Sequence, residues 1–219
     1  MPSKETINSF AVHQRRKQKN LNIPTPSESV MQSYLRKWSD SESYIMQESS
    51  LNKLFFQTYP LNTDINDVLI KVSALNDFYS TNIFSVFSVA KHIVNMQIDE
   101  RLAQKDELLV NEIALVKMEN GKTKNFYSFA TKYCSNHKPL DYPIYDSYIE
   151  KVLKYFRDID CFFNFNNEEL RDFSSFKKIL FQFQQFYNLE TYNLKEIDRY
   201  LWLFGKDVFP PNYDIKRQL

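Results

Sequence analysis

The chain has 219 residues, a formal net charge of +1, and a composition that is 43% hydrophobic and 16% aromatic. The length suits one domain with a sizeable core, and only two glycines with eight prolines argue against a turn-dense β-sandwich or barrel. No apolar run approaches the roughly 18 residues of a membrane span, whereas a near-neutral charge does not exclude a basic face that binds nucleic acid.

Residues 1–26 are polar and contain a basic cluster, His13 to Lys19, before Pro24-Thr25-Pro26. This pattern predicts a disordered arm. A tail that binds DNA phosphates is the alternative, because clustered Lys and Arg side chains release counterions from DNA. Residues 27–219 are predicted to form a single all-α domain.

Three helices with clear boundaries are predicted next. Ser27 is a suitable N-cap for a helix over about 28–38, and Asp64 caps a strongly periodic helix over about 65–79. Between them a helix fits about 42–58 and ends before Pro60. The same apolar spacing predicts further helices at about 84–96, 99–103, 106–117, 124–136, 146–157, 174–187 and 193–205. Gly205 is predicted to end the last helix.

Gly121 marks a turn that we predict to lie between two helices, since glycine reaches positive φ at low cost. Backbone N–H groups would then face outward from the turn and from the N-terminus of the following helix. The turn residues are Asn120, Gly121, Lys122 and Thr123. Such unsatisfied donors suit a phosphate group. A plain structural turn is the alternative interpretation.

A proline-bounded loop, Lys138-Pro139 to Pro143-Ile144-Tyr145, delivers Asp146 to the start of a predicted helix. With Gly121 and Lys124, this arrangement resembles the helix-hairpin-helix superfamily of DNA glycosylases, within it the 8-oxoguanine DNA glycosylase-like branch. The resemblance covers about residues 60–207. Three further blocks are similar to compact bacterial members: Phe78 to Ile83, Ser128 to Cys134, and Tyr200 to Lys206. The chain departs from the family in having one hairpin glycine and a tyrosine, Tyr148, where histidine is usual.

The resemblance implies about ten helices in two lobes around a cleft, with the hairpin and catalytic helices over about 106–157. It also implies that Asp146 stabilises positive charge on the deoxyribose as the glycosidic bond breaks; simple helix capping is the alternative role. The implied amine nucleophile is Lys124, at the start of the helix after the hairpin, or Lys132, two turns further along.

The implied DNA contacts are Asn120, Gly121, Lys122, Thr123 and Tyr148. Trp202 and Phe204 are candidates for the wall of a pocket that receives a flipped base, although core packing is the favoured explanation for both. His92 and His137 are possible polar contacts. Lys151, Lys154 and Arg157 could follow phosphates or form an ordinary solvated face.

Three hypotheses follow. The first is a glycosylase that excises an 8-oxoguanine-like or hypermodified phage base from double-stranded DNA, with AP lyase activity, in base excision repair or anti-phage defence. The second is a non-enzymatic helix-hairpin-helix DNA-binding module, and the third is an all-α protein adaptor. Cys134 and Cys161 are not spaced as a metal pair. We expect a cytoplasmic, nucleoid-associated monomer without metal or other cofactor.

Overall fold

A computed structural model describes residues 23–210, which contain ten α-helices and one two-stranded sheet. The all-α class is therefore confirmed at this level. The predicted N-terminal arm lies outside the described residues except for 23–26. The elements are α1 (Glu28–Ser39), α2 (Glu42–Asn52), a π-helix (Lys53–Thr58), α3 (Ile65–Phe78), α4 (Val86–Met96), α5 (Asp99–Ala103), α6 (Leu108–Ala114), β1 (Leu115–Lys117), β2 (Thr123–Asn125), α7 (Tyr127–His137), α8 (Ser147–Asp160), a 3₁₀ turn (Glu169–Arg171), α9 (Phe173–Phe186) and α10 (Leu194–Val208).

The predicted N-caps place the helix starts correctly. Ser27 accepts a hydrogen bond from the N–H of Val30, and Asp64 accepts from Asn66 at 2.7 Å. Asp146 caps α8 through a bond from Tyr148. Such caps satisfy backbone donors that the first helical turn leaves free. These local signals explain why most helix boundaries agree with the prediction.

One core joins the helices. The N-terminal helix α1 packs on α10, α10 packs on α8, and α6 packs on α7, while α3 and α4 form an antiparallel pair. The apolar stripe predicted for α3 is buried through Val68, Val72 and Leu75. The central helix α7 is buried on nearly every side, because nine consecutive residues from Phe129 to His137 are shielded from solvent. Polar groups on α7 therefore lie inside the protein.

The predicted helix–turn–helix around Gly121 is wrong. The helix before Gly121, α6, ends at Ala114. The chain then continues as a β-hairpin in which Leu115 pairs with Asn125 and Lys117 with Thr123. Exposed and buried residues alternate from Leu115 to Met118, which is a period of two and suits a strand better than a helix. Gly121 has φ of +78° in the hairpin turn, so its predicted positive φ is confirmed although its neighbours are strands.

Gly205 does not end the last helix, contrary to the prediction. The helix α10 continues to Val208, and Gly205 lies where α10 crosses the first turn of α8. A Cβ atom at this position would be 2.8 Å from the Cβ and 2.9 Å from the carbonyl oxygen of Tyr148. The glycine is therefore required by the close approach of the two helices.

We expect Gly205→Ala to destabilise the protein by about 1–3 kcal/mol, the usual cost of overpacking. Without this contact, replacing a glycine inside a helix by alanine would stabilise the protein by about 0.5–1 kcal/mol. The sign of the change in the free energy of unfolding therefore tests the contact. Gly121→Ala is the matched control, because an added Cβ meets nothing within 4 Å and only the positive φ is strained. Urea unfolding of the three proteins measures both effects. A stabilised Gly205→Ala variant would contradict the packing.

Asn62 is the centre of a buried polar network behind α7. Its side-chain oxygen accepts hydrogen bonds from Lys71 at 2.6 Å, Tyr133 at 2.5 Å and His137 at 3.1 Å. Its amide groups donate to Asp99. This network explains His137 as a structural residue, and it fixes α7 against α3 and α5.

Lys71 gives the protein a pH-dependent stability. The side chain is fully buried, and this burial lowers its pKa from 10.5 to about 8. Between these values the unfolded chain binds more protons than the folded one, so folding stability rises with pH from about 8 to 10.5. We expect this rise, about 3 kcal/mol in size, to be missing in Lys71→Met. Urea unfolding at pH 7.5 and pH 10 measures the free energy of unfolding of the wild type and of Lys71→Met. An equal rise in the two proteins would contradict the assignment to Lys71.

Candidate active site

Lys132 and Asp146 meet at the centre of the molecule. The Lys132 side chain is 2% exposed, and its Nζ lies 3.6 Å from Oδ2 of Asp146. The ammonium group also donates to Oγ of Ser128 at 2.6 Å and to the carbonyl oxygen of Tyr145 at 3.2 Å. A lysine is rarely buried unless its charge is matched. Here one carboxylate and three neutral oxygens surround it, the third being the carbonyl oxygen of Ser128 at 3.4 Å.

The loop before α8 is tied to α7, which fixes this pair. The N–H of Tyr145 donates to Oγ1 of Thr131 at 3.1 Å, and Oγ of Ser128 donates to the carbonyl oxygen of Tyr145 at 3.1 Å. Asp146 follows directly. Its Oδ1 accepts from the N–H of Tyr148 at 2.9 Å while Oδ2 faces Lys132. Asp146 therefore caps α8, and its second carboxylate oxygen faces the lysine.

Burial sets the chemical character of Lys132. Removal from water lowers the pKa of its ammonium group, and the nearby carboxylate of Asp146 opposes that change. A lysine becomes a nucleophile only as the neutral amine, so a lowered pKa is the condition for covalent chemistry at neutral pH.

A cavity opens beside Lys132 and Asp146. Its walls come from α1, α2, the end of α3, α7, the start of α8 and α10. The lining residues are Trp38, Tyr44, Gln47, Glu48, Leu51, Phe78, Tyr79, Lys132, Asn136, Ile144, Asp146, Ile149, Lys195, Asp198, Arg199 and Trp202. Mostly apolar walls with a few convergent polar groups are typical of small-ligand and active sites.

Aromatic rings form one side of this cavity. Trp38 stacks on Tyr44 with ring centroids 5.0 Å apart, and Trp202 contacts both rings edge-on. Tyr79 lies nearer the lysine, with its ring centroid 5.5 Å from Nζ of Lys132. Flat aromatic surfaces of this kind can stack on a planar ring.

Charged groups also line the cavity, and the guanidinium of Arg199 lies 5.4 Å from the ring centroid of Trp38. Arg199 donates two hydrogen bonds to Glu48, at 2.7 and 2.6 Å, and Lys195 lies 3.5 Å from the same carboxylate. This cluster joins α2 to α10 across the cavity. Asp198, on the same helix, is almost fully buried and accepts a hydrogen bond from the N–H of Ile144 at 2.9 Å.

The structure separates the two candidate lysines. Lys124 lies on the exposed strand β2, whereas Lys132 lies beside Asp146. Of the two candidate pocket residues, Trp202 lines the cavity, but Phe204 is fully buried and packs against Tyr34, Phe156 and Tyr200. The expectation for Phe204 as a pocket residue is therefore wrong, and core packing is its role.

The candidate DNA contacts fall in two places. Four of them lie exposed in the hairpin turn and β2: Asn120, Gly121, Lys122 and Thr123. The prediction that they precede a helix start is therefore wrong. Tyr148 is half-buried in the first turn of α8, beside Gly205. Nε2 of His92 donates to the carbonyl oxygen of Glu112, 3.0 Å away, and His92 lies beside the hairpin rather than at the cavity.

Sequence reasoning missed the walls contributed by α1 and α2. The spacing of apolar residues places Trp38 and Tyr44 on the apolar faces of their helices, and no pattern distinguishes Glu48 from other surface carboxylates. One signal was present, because Trp38 and Tyr44 are aromatic residues on either side of a short interhelical turn. Nothing in the sequence placed that turn against α10.

Comparison with known proteins identifies the family. A family model described as HI_0787_N, N-terminal domain, matches residues 30–141. A Haemophilus influenzae protein with the printed name "Uncharacterized protein" is 49% identical over 150 residues, which is 68% of this chain and 71% of that protein. This chain belongs to the HI_0787_N family. No solved structure matches it.

The matched segment ends before the candidate carboxylate. Residues 30–141 include Trp38, Tyr44 and Lys132, whereas Asp146 and the cavity residues of α10 lie beyond it.

Within residues 23–210, no helix is long and apolar enough to cross a membrane. The same part of the chain contains no group of three or more His, Cys, Asp or Glu side chains placed to hold a metal ion.

Proposed function

We propose that this protein is a DNA glycosylase with AP lyase activity, in which a β-hairpin takes the place of the helical hairpin expected around Gly121. The observation that carries the proposal is the pairing of the buried Lys132 with the partly exposed Asp146 in an aromatic-walled cavity. An amine nucleophile and a carboxylate 3.6 Å apart provide the two groups that covalent cleavage of an N-glycosidic bond requires.

In this proposal Lys132 attacks C1′ of the target nucleotide as a neutral amine. The bond from C1′ to the base breaks, and its electron pair leaves with the base. Positive charge that builds on the sugar is stabilised by the carboxylate of Asp146, which is already oriented by its hydrogen bond to Tyr148. The nitrogen then loses a proton, the bond from C1′ to the ring oxygen O4′ breaks, and O4′ takes up a proton. The Schiff base formed in this way permits strand cleavage, which is the AP lyase step.

The cavity has the features that a flipped base needs. A base that leaves the duplex loses its stacking partners, and enzymes replace them with aromatic or apolar side chains. Trp38, Tyr44 and Trp202 supply such surfaces here. The residues of the cavity come from helices at both ends of the chain, which supports two groups of helices around a cleft.

An exposed phenyl ring in the loop that follows a wall residue suits insertion into a duplex. Phe84 is 93% exposed, in the loop that begins just after the wall residue Tyr79. The loop is held by Asn76, which bonds the N–H of Ile83 at 2.8 Å and Oγ1 of Thr81 at 2.9 Å. Proteins that distort DNA often insert an apolar side chain between base steps, so a rigidly held Phe84 supports binding to double-stranded DNA.

The experiment that tests the proposal is base release from duplex oligonucleotides, each with one modified base. The panel contains oxidised guanine and hypermodified bases of phage DNA, and unmodified duplex is the control. We expect release of at least one modified base by the wild-type protein. Release of a phage-type base alone would favour a role in anti-phage defence over repair.

The second candidate is a DNA-binding module without catalytic activity. The exposed lysines of the hairpin, Lys117, Lys122 and Lys124, favour phosphate binding independently of the cavity. This candidate predicts salt-dependent duplex binding and no base release from any substrate. The base-release panel therefore separates the two functions.

A further inference from the structure

Asp198 is a buried acid that the proposed mechanism leaves unused. It lies on α10, lines the same cavity as Lys132 and Asp146, and is 4% exposed. Its Oδ2 accepts the hydrogen bond from the N–H of Ile144, whereas its buried Oδ1 has no hydrogen-bond partner within residues 23–210. A buried polar atom without a partner is costly, and native proteins retain few of them.

A proton on Oδ1 would turn this atom into a hydrogen-bond donor. Several charged groups face Asp198: Lys132 from α7, Lys195 and Arg199 from its own helix, and, across the cavity, Glu48 from α2 and Asp146 before α8. Burial raises the pKa of Asp198 to about 7, although the Ile144 hydrogen bond and the three cations favour ionisation. Near neutral pH the carboxyl group therefore exists both as the protonated acid and as the carboxylate, which suits a group that donates a proton.

The proposed reaction needs such a donor. When the bond from C1′ to the base breaks, the base leaves with the electron pair of that bond and must gain a proton to become neutral. Oδ2 of Asp146 faces Lys132, and in the proposed mechanism Asp146 acts as a carboxylate. Lys132 must act as a neutral amine. Neither group is therefore available to protonate the base.

We propose that Asp198 is the general acid that protonates the departing base, an inference that rests on the proposed glycosylase function. As the nitrogen of Lys132 bonds to C1′, the bond from C1′ to the base breaks and its electrons pass to the base. The nitrogen becomes a secondary ammonium group, which afterwards loses its extra proton to water. The proton of Oδ1 moves to the base, and Asp198 remains as a carboxylate until it takes a proton from water.

A structural role for Asp198 is the competing explanation. Its bond to the N–H of Ile144 holds the loop that ends at Asp146. Asp198→Asn separates the two roles, because the amide oxygen can still accept the Ile144 hydrogen bond while the side chain no longer gives up a proton. A preformed abasic site separates the chemical steps, since attack by Lys132 on that site involves no departing base.

The test compares wild type and Asp198→Asn in single-turnover base release and in borohydride trapping on a preformed abasic site. We expect base release to slow by about 10²-fold or more, with trapping unchanged. In the wild type, base release should fall as pH rises through about 7, a dependence that the variant and the trapping reaction lack. Equal losses in both assays would overturn the proposal in favour of a structural role, and an unchanged rate of release would overturn it outright.

A substrate comparison on the wild-type protein keeps the proposal testable if Asp198→Asn folds poorly. Some modified nucleobases are acidic at the nitrogen that is bonded to C1′. Such a base leaves as a stable anion and needs no proton from the enzyme. We expect its release to lack the fall near pH 7, and the same fall for both kinds of base would overturn the proposal. Failure of the proposed function is distinguishable, because the wild type would then neither release a base nor trap on the abasic site.

Discussion

The Lys132→Gln variant is expected to form no borohydride-stable adduct with DNA and to release base at least about 10²-fold more slowly than the wild type. Glutamine keeps a hydrogen-bond donor near Ser128 and Tyr145, which bind the ammonium group at 2.6 and 3.2 Å. It provides no nucleophilic amine. Quenched trapping reactions resolved on denaturing gels measure the loss.

Lys124→Gln is the matched control for this variant. It removes the same charge from the exposed strand β2, on a side chain that does not reach the cavity. We expect weaker binding to DNA at most, with the adduct retained. Loss of the adduct in Lys124→Gln and its retention in Lys132→Gln would reverse the assignment of the nucleophile.

The Asp146→Asn variant is expected to release base at least about 10²-fold more slowly, because the charge that faces Lys132 and the sugar is removed. Asparagine and aspartate are about equally good N-caps, so the hydrogen bond from the N–H of Tyr148 can be kept. Single-turnover base release, with thermal unfolding of the same samples, separates chemistry from stability.

Asp64→Asn is the control for capping alone. Asp64 caps α3 through Asn66, and it does not line the cavity. The same substitution there should leave base release unchanged. If Asp146→Asn and Asp64→Asn gave equal rates of base release, Asp146 would be a helix cap only.

Local signals in the sequence predicted much of the fold. Capping residues and apolar periodicity placed the helix starts at Glu28, Ile65 and Ser147 within about a residue. The β-hairpin was missed because it is only three residue pairs long, and its alternating pattern is shorter than a strand prediction needs. The role of Gly205 depends on a contact with Tyr148 that no local pattern contains.

The candidate site was predictable only in part. The resemblance supplied Asp146 and two lysines, but the choice between Lys124 and Lys132 depends on burial, which follows from how α7 packs among other helices. The aromatic wall needs α1 and α2 to pack near α10, a contact between residues more than 150 positions apart. Separations of that kind leave no periodic signal in the sequence.

Identification of the residue that bonds to DNA tests the central claim most directly. The purified protein is trapped with borohydride on a duplex that carries an abasic site, digested, and mapped by mass spectrometry. The account predicts one cross-linked peptide, with the sugar attached at Lys132. An adduct at Lys124 or on any other residue, or no adduct at all, would contradict it.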